Sequence, residues 1–388
     1  MSDDGPKQRR RGHNEGTVYQ TADGSFRGAV TLGWTPDGKL RRKYVSGKTK
    51  TETHRKVDLL KRQRDDGDAI PARDQTVGQF LTTWLEEVVK VHNRPKTYQS
   101  YELICRVHLI PSLGRHKLGK LTAAQISAYM ASKAAAGQSP RSVNYHRAIL
   151  RAAINHAKRW DLVTRNVAEL VQPRPEKRYE ATALTIAQAG QFLAAARDDR
   201  LEALFTVALA LGLRRGEALG LQWRDVDVEA GTIRVRQQMQ FIEGRASLVE
   251  PKTDRSRRTI AVPASVLTSL RAHRHRQQFE RVAAGQRWKG AEWDLVFCTT
   301  VGTPCDESNV NRIFKAVLKR AELPDMRYHD LRHSCGSLLA ARGVAPRVAM
   351  EILGHSDIRM TMNVYTHVEL GPKVDAAERI SDLFERPD

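Results

Sequence analysis

Residues 327–334 read "RYHDLRHS", two histidines four apart with an arginine between them. On a helix, positions three and four apart share a face, so His329, Arg332 and His333 converge on one object. Whether that object is a metal or an oxyanion decides what the C-terminal half of the chain is built around. The spacing suits the H-E-x-x-H zinc helix, but Asp330 stands where that motif needs glutamate. Arg332, on the same face as His329, also repels a divalent cation that lacks carboxylate compensation. An oxyanion removes the conflict, because an arginine and imidazole N–H groups can all donate inward. The expectation is an oxyanion site with no metal and no cofactor.

Working outward, three segments offer the groups that such a site would need. In "LALGLRRGEALGLQWRDVD" (209–227), Arg214 follows Gly212 and Leu213 at a helix end where a side chain can be presented. In "VEPKTDRSRRTIAVP" (249–263), Lys252 is expected on a hairpin tip. The segment "EILGHSDIRMTMNVYTHV" (351–368) sets His355 just beyond a helix and Tyr365 on the next one. Singly, each has a plainer reading: Arg214 as a solvated helix-end cation, Lys252 as a loop lysine, and His355 as a turn cap. Tyr365 likewise falls in line with Ile358 and Met362, as one more residue of an apolar face with its hydroxyl at the edge. The ordered set points instead to a single site.

These segments resemble those of the tyrosine recombinase, or phage integrase, family. "GLRRGEALGLQW", "HDLRH" and "LGHSDIRMTMNVYTH", in that order, carry the resemblance over about 200 residues of the C-terminal unit. By resemblance, Arg214 matches the first catalytic arginine, Lys252 the β-hairpin lysine, and His329 and Arg332 the histidine and arginine of the third segment. His355 matches the second histidine and Tyr365 the nucleophile. Glu217 matches an acidic position that supports the first arginine from behind, and His333 a frequent non-catalytic histidine. The resemblance implies an integrase of a phage or integrative element that cleaves and rejoins DNA through a 3′-phosphotyrosine. It further implies double-stranded DNA with core-type and arm-type sites as partner and a homotetramer on that DNA. A host DNA-bending protein and a directionality factor are compatible further partners.

The side chains agree with that chemistry. A tyrosine hydroxyl titrates near 10 in water, so attack on phosphorus at neutral pH needs a base, for which His329 is the candidate, and cationic surroundings. Arg214, Arg332 and His355 would clamp the charge that builds on the non-bridging oxygens. Lys252 is the candidate acid for the leaving 5′ oxygen. The phosphotyrosine conserves the bond energy, so no ATP is required, in line with the lack of a Walker-type glycine loop.

Composition fits a polyanionic partner. Lys and Arg number 64 against 44 Asp and Glu, a formal charge of +20 spread along 388 residues. The most apolar stretch, "LFTVALALGL", is far shorter than the roughly 20 residues that span a bilayer. "MSDDGPKQRRRGHNEG" lacks the apolar core of a secretory signal, so the chain is expected in the cytoplasm, at the nucleoid. Cys105, Cys298, Cys305 and Cys335 form no C-x-x-C pair and read as reduced, structural thiols.

The expected fold is multidomain and mainly α with small β-sheets. Residues 1–70 read as a three-stranded sheet plus a helix, an arm-type DNA-binding domain in which Arg27, Arg41, Arg42 and Lys43 are candidates to meet DNA. Residues 75–172 read as a helical, SAM-like core-binding domain, with Lys96 a further candidate DNA contact and a break expected at 111–114. "QPRPEKRYEA" supplies a linker at 173–180. Residues 181–388 read as a mixed α+β catalytic domain with strands in "GTIRVRQQ", "ASLVE" and "RRTIAVP". It closes on the amphipathic "KVDAAERISDLFE", whose Val374, Ala377, Ile380 and Phe384 suit docking on a neighbouring protomer or on their own domain. Two other functions compete. A type IB topoisomerase would share the nucleophile and clamp but work as a monomer. A non-catalytic DNA-binding regulator would have no use for the whole Arg, Lys, His, Arg, His, Tyr set.

Overall fold

Three strands begin the chain because apolar and polar residues alternate there between Asp-Gly turns. In the computed structural model, β1 (Thr17–Gln20), β2 (Phe26–Trp34) and β3 (Leu40–Gly47) pair antiparallel in the order β1-β2-β3. Helix α1 (Lys50–Asp65) covers one face. It seats Val57 and Thr53 so closely that a Cβ on Gly28 would lie 2.5 Å from Val57 Cγ2. The structure describes residues 17–34, 40–65, 75–177, 179, 181–251, 256–355 and 357–365.

The register sorts the expected DNA contacts. Tyr19 pairs with Arg27 and Thr31 with Arg42, on the face away from α1, where the Arg27 guanidinium sits 4.8 Å over the Tyr44 ring. Lys43 pairs with the buried Val30 and so lies on the α1 side, apart from the other two. Paired residues share a face and neighbours alternate. The basic run "RRK" is therefore divided between faces rather than presented as one patch. Arg41 is opposite Gly33 at an irregularity in the register, and its side chain lies outside the described residues.

The helical part comprises α2 (Val77–Trp84), α3 (Lys90–His92), α4 (Pro95–Ile104), α5 (Ile110–Leu113), α6 (Ala123–Ala135) and α7 (Pro140–Arg159). Thr76 with Gln79 and Thr122 with Gln125 form reciprocal caps that satisfy the first N–H groups of α2 and α6. Phe80, Leu81, Leu109, Ile126, Ile149 and Leu150 fill a core of its own. The break expected at 111–114 arrives only at Gly114. A π-helical turn over Cys105–Leu109, in which Ile110 N–H reaches back to Cys105 O, resets the ladder. Pro111 thereby falls in the first turn of α5, where its missing donor matters little. Lys96 is exposed near the start of α4.

The chain divides into two units, Met1–Arg178 and Tyr179–Asp388, with the division inside the stretch read as a linker. Asn144 ties the front of that stretch to α7, donating to Arg174 O at 2.9 Å and accepting from Arg174 N–H at 2.8 Å.

The second unit runs through α8 (Ile186–Ala196), α9 (Glu202–Leu211), α10 (Arg215–Leu219), β4 (Val226–Asp227), β5 (Thr232–Val235), β6 (Gln238–Ile242) and β7 (Arg245–Val249). It continues with β8 (Arg258–Ala261), α11 (Ala264–Ala284), α12 (Glu307–Arg320), α13 (Asp330–Ala341), α14 (Pro346–Leu353) and α15 (Ile358–Tyr365). Phe192, Phe205, Phe314 and Tyr328 pack edge-on or tilted at its centre.

Two strand expectations change. The run "GTIRVRQQ" ends one strand and starts another, β6, which pairs with β7 as a separate hairpin. Strand β8 pairs instead with β5 in the sheet β4-β5-β8. Strands β7 and β8 are therefore not paired with each other, and Lys252, expected on a hairpin tip, lies outside the described residues. The four cysteines are buried thiols, and burial pushes Cys105 and Cys335 up to about 12. No helix among the described residues is long and apolar enough to cross a membrane.

Candidate active site

Two glycines shape the site. The buried, apolar α9 stops at Gly212 (φ 60°) and α14 stops at Gly354 (φ 64°), both in the left-handed region that favours glycine. Space demands glycine as well. A Cβ at 212 would lie 2.4 Å from Leu353 Cδ2, and one at 354 would lie 2.8 Å from Arg258 Nη1. Each turn leaves a carbonyl that holds an arginine. Gly212 O accepts from Arg332 Nη1 at 2.8 Å, and Gly354 O accepts from Arg214 Nη2 at 3.2 Å.

Arg214 sits at the N-terminal boundary of α10, where Glu217 grips it twice. Glu217 Oε2 accepts from the Arg214 backbone N–H at 3.0 Å and Oε1 from its Nη1 at 2.7 Å. The same carboxylate accepts from Arg258 Nη2 at 3.1 Å. Burial pushes the Glu217 carboxyl up, but the guanidiniums of Arg258 and Arg214 outweigh it and hold the group ionised, below its ordinary range. Arg258 in turn donates to Ile352 O at 2.8 Å and Ser256 O at 3.2 Å. It thereby joins β8 to α14 just ahead of His355.

Arg258 belongs to this cluster without having been singled out in the sequence. The available signal was its place two residues before the buried Ile260, which puts both on the inward face of one strand.

Arg332 is 4% exposed, and its Nη2 has no hydrogen-bond partner. Burial, with Arg214 and Arg258 adding repulsion, pushes its guanidinium down to about 9. A buried cation with an unused donor is a site missing an anion. His329 precedes α13 rather than lying inside it, because Tyr328 is held in the aromatic core and its neighbour is the boundary residue of the helix. The rings of His329 and His333 meet edge to face at 5.5 Å. His355 Nδ1 bonds Thr361 Oγ1 at 2.9 Å, and Thr361 is fully buried on α15.

Burial first, then the neighbouring cations, pushes His329 down to about 4 and His355 to about 3. In the two cores, His146 and His273 are likewise pushed down to about 4, by burial first. All four are neutral at pH 7. The unfolded chain takes up these protons near 6.5 and the folded chain only at the lower values, so stability rises with pH across that interval. The melting temperature is expected to hold above about pH 6.5 and to fall steadily below it, before the carboxylates titrate. His355→Asn should flatten that slope in thermal melts, and a flat profile for the unaltered protein from pH 7 to about 5 would contradict these imidazole environments.

Four of the expected residues, Arg214, Glu217, Arg332 and His355, are joined through the turns at Gly212 and Gly354. His329 lies within their field, since Arg332 and Arg214 both depress it. The plainer reading of Tyr365 does not hold for its helix partners, because Ile358 and Met362 are exposed while Thr361 is buried. Tyr365 is the last residue of α15, one turn beyond Thr361, and its side chain lies outside the described residues. Among the described residues, no three His, Cys, Asp or Glu side chains converge as metal ligands would.

Comparison with known proteins places this arrangement. Residues 182–370 match the Phage integrase family, and residues 76–133 match the phage integrase N-terminal SAM-like domain. A tyrosine recombinase XerC-like protein of Caldanaerobacter subterraneus subsp. tengcongensis is 34% identical over 376 residues, covering 92% of this chain and 96% of the relative. Among solved structures, the Tn1549 transposon integrase in complex with a circular intermediate DNA aligns with TM-score 0.65 at 23% identity, over 79% of this chain and 99% of that one. A lambda integrase tetramer bound to a Holliday junction aligns with TM-score 0.57 at 17% identity, over 93% of this chain and 98% of that one. The extent of the first relative, together with the family match across the arginine–histidine cluster, means that the chain belongs to the phage integrase family of tyrosine recombinases and is a site-specific recombinase.

Proposed function

We propose that this recombinase cleaves double-stranded DNA at attachment sites with Tyr365 as nucleophile, and so integrates or excises a mobile element. The observation that carries this reading is the buried Arg332, whose unpartnered Nη2 lies in a site already shared with Arg214 and His355. A DNA phosphate fits there as the missing anion.

In the step so assigned, the Tyr365 oxygen bonds to phosphorus and passes its proton to His329, which is neutral and able to accept it. The bond to the 5′ oxygen breaks, and Lys252 protonates that oxygen. Arg214, Arg332 and His355 hold the non-bridging oxygens, His355 through the nitrogen opposite the one engaged by Thr361. Glu217 and Arg258 keep Arg214 in place. Reversal by a 5′ hydroxyl of another duplex joins the strands.

The remaining assignments follow the same reading. Residues 1–70 serve as an arm-type DNA-binding domain through the exposed face that carries Arg27 and Arg42. Residues 75–172 bind core DNA, with Lys96 among the contacts. The 173–180 linker leads to the catalytic domain, 181–388. A tetramer assembles on DNA, supported by the relative crystallised as a tetramer on a Holliday junction. A host DNA-bending protein and a directionality factor complete the assembly at the nucleoid.

Nicked duplexes from DNA flanking the gene test the assignment, because the nick lets a short fragment diffuse away and traps the covalent intermediate. In EDTA, the protein is expected to yield a 3′-phosphoryl adduct that maps to the Tyr365 peptide by mass spectrometry. Tight binding to those duplexes without any adduct would sink the assignment and favour a DNA-binding regulator.

A further inference from the structure

The first residues of the catalytic unit run back over the turn that carries His329 and Arg332. Tyr179 Oη donates to Asp330 Oδ2 at 2.6 Å, and the Arg327 guanidinium lies 3.3 Å over the Tyr179 ring. Asp330 is fully buried and also accepts from the Arg327 backbone N–H at 2.8 Å and its Nη2 at 3.2 Å. Five residues on, Leu184 N–H donates to Ser334 Oγ at 3.0 Å, and Ser334 is itself buried and donates to Asp330 O at 2.8 Å. Both tethers therefore end on the first turn of α13, on either side of Arg332 and immediately after His329.

From these contacts we infer that the tethers at Tyr179 and Leu184 form a positioning strap. Tyr179, through Asp330, sets where His329 and Arg332 stand relative to the scissile phosphate. The proposal rests on the recombinase reading of those two residues and adds a residue outside the clamp. Its logic is mechanical. Asp330 has a rigid backbone role, since its Oδ2 accepts from both the Arg327 backbone N–H and the Tyr179 phenol while its Oδ1 accepts from the Arg327 guanidinium. Without the phenol, a buried carboxylate loses a charge-assisted hydrogen bond and the turn is free to shift. A shift of about 1 Å at a catalytic group can lower a rate by about 100-fold.

Tyr179→Phe isolates the hydroxyl, since the ring that supports Arg327 stays. With the same nicked duplexes and saturating full-length protein, single-turnover adduct formation is expected to slow by about 10- to 100-fold, with half-saturation by DNA unchanged. Asp330→Asn should slow it similarly, and the double variant should be no slower than the slower single variant, as for two members of one coupled unit. The imidazole resonances of His329 and His333 should move in Tyr179→Phe, a readout independent of turnover. Wild-type rates and unmoved resonances in Tyr179→Phe, or losses that multiply in the double variant, overturn the strap. A wild-type protein that forms no adduct fails differently, by removing the assignment of Tyr365, while the resonances still report whether Tyr179 positions the turn.

Discussion

Tyr365→Phe protein is expected to bind nicked duplexes from the DNA flanking its gene with undiminished affinity and to form no covalent adduct on them. The change removes one oxygen, the atom that becomes the phosphate ester, and leaves every cation of the clamp in place. Among the described residues, the nearby hydroxyls of Thr361 and Tyr328 do not substitute. Thr361, one turn earlier, is buried and bonded to His355, and the buried Tyr328 is held in the aromatic core. Loss of a nucleophile that acts with its base as a unit typically lowers rates by about 10,000-fold or more. Recombination between paired sites should therefore disappear. Residual cleavage within about 100-fold of the unaltered protein, measured on denaturing gels, would transfer the nucleophile to another residue or to water.

The second large effect is expected at Arg332, for which lysine is the informative replacement. Arginine here does two things at once, because Nη1 is committed to Gly212 O while Nη2 is buried and unpartnered. A single ammonium cannot hold the turn and reach a phosphate oxygen in that fork geometry. Arg332→Lys should lower the adduct-forming rate by about 100- to 1,000-fold, the usual consequence of losing one donor to a developing oxyanion. Affinity for the duplex should change little, because one phosphate contact among many contributes modestly to DNA binding. A rate within about tenfold would mean that the unpartnered Nη2 does not face the reacting phosphate. Because Arg214 hangs from the second glycine turn, Arg214→Lys offers a parallel test in which Glu217 keeps only Arg258 as a guanidinium partner, through its Nη2 alone.

The pH behaviour connects the two. With His329 and His355 both neutral at pH 7 in the DNA-free protein, an imidazole able to accept a proton is present before any phosphodiester binds. The clamp then depends on arginine for positive charge. A bound phosphodiester adds a negative charge to a site where Arg332 is depressed by burial, which favours the charged guanidinium and draws the imidazoles back towards their ordinary values. The site is thus arranged to be completed by its substrate.

Much of this was visible in local residue order. By resemblance, "GLRRGEALGLQW", "HDLRH" and "LGHSDIRMTMNVYTH" name candidate catalytic groups, and these are side chains suited to clamp, accept and attack in phosphoryl transfer. Helical periodicity and Asp-Gly turns marked the β-rich start and the helical middle, since those patterns follow from backbone geometry alone. The break read at 111–114 falls at Gly114 and not at Pro111, because a π turn moves the proline to a first-turn position where its missing donor matters little. The strand β6 was missed because no turn residue separates it from β5 in "GTIRVRQQ", and only pairing partners distinguish the two strands.

The candidate reacting groups, the recombinase family and the mainly α, multidomain plan are local properties, written in residue type and spacing. How those groups are held is not local. Glu217 meets Arg258 across 41 positions, Arg332 meets Gly212 O across 120, Arg214 meets Gly354 O across 140, and Tyr179 meets Asp330 across 151. Whether Lys43 faces the same way as Arg42 depends on strand register. Which guanidinium nitrogen remains without a partner depends on which carbonyls the left-handed turns at Gly212 and Gly354 present. Such pairings are set by packing between distant segments, whose free energy depends on three-dimensional proximity that no window of sequence contains.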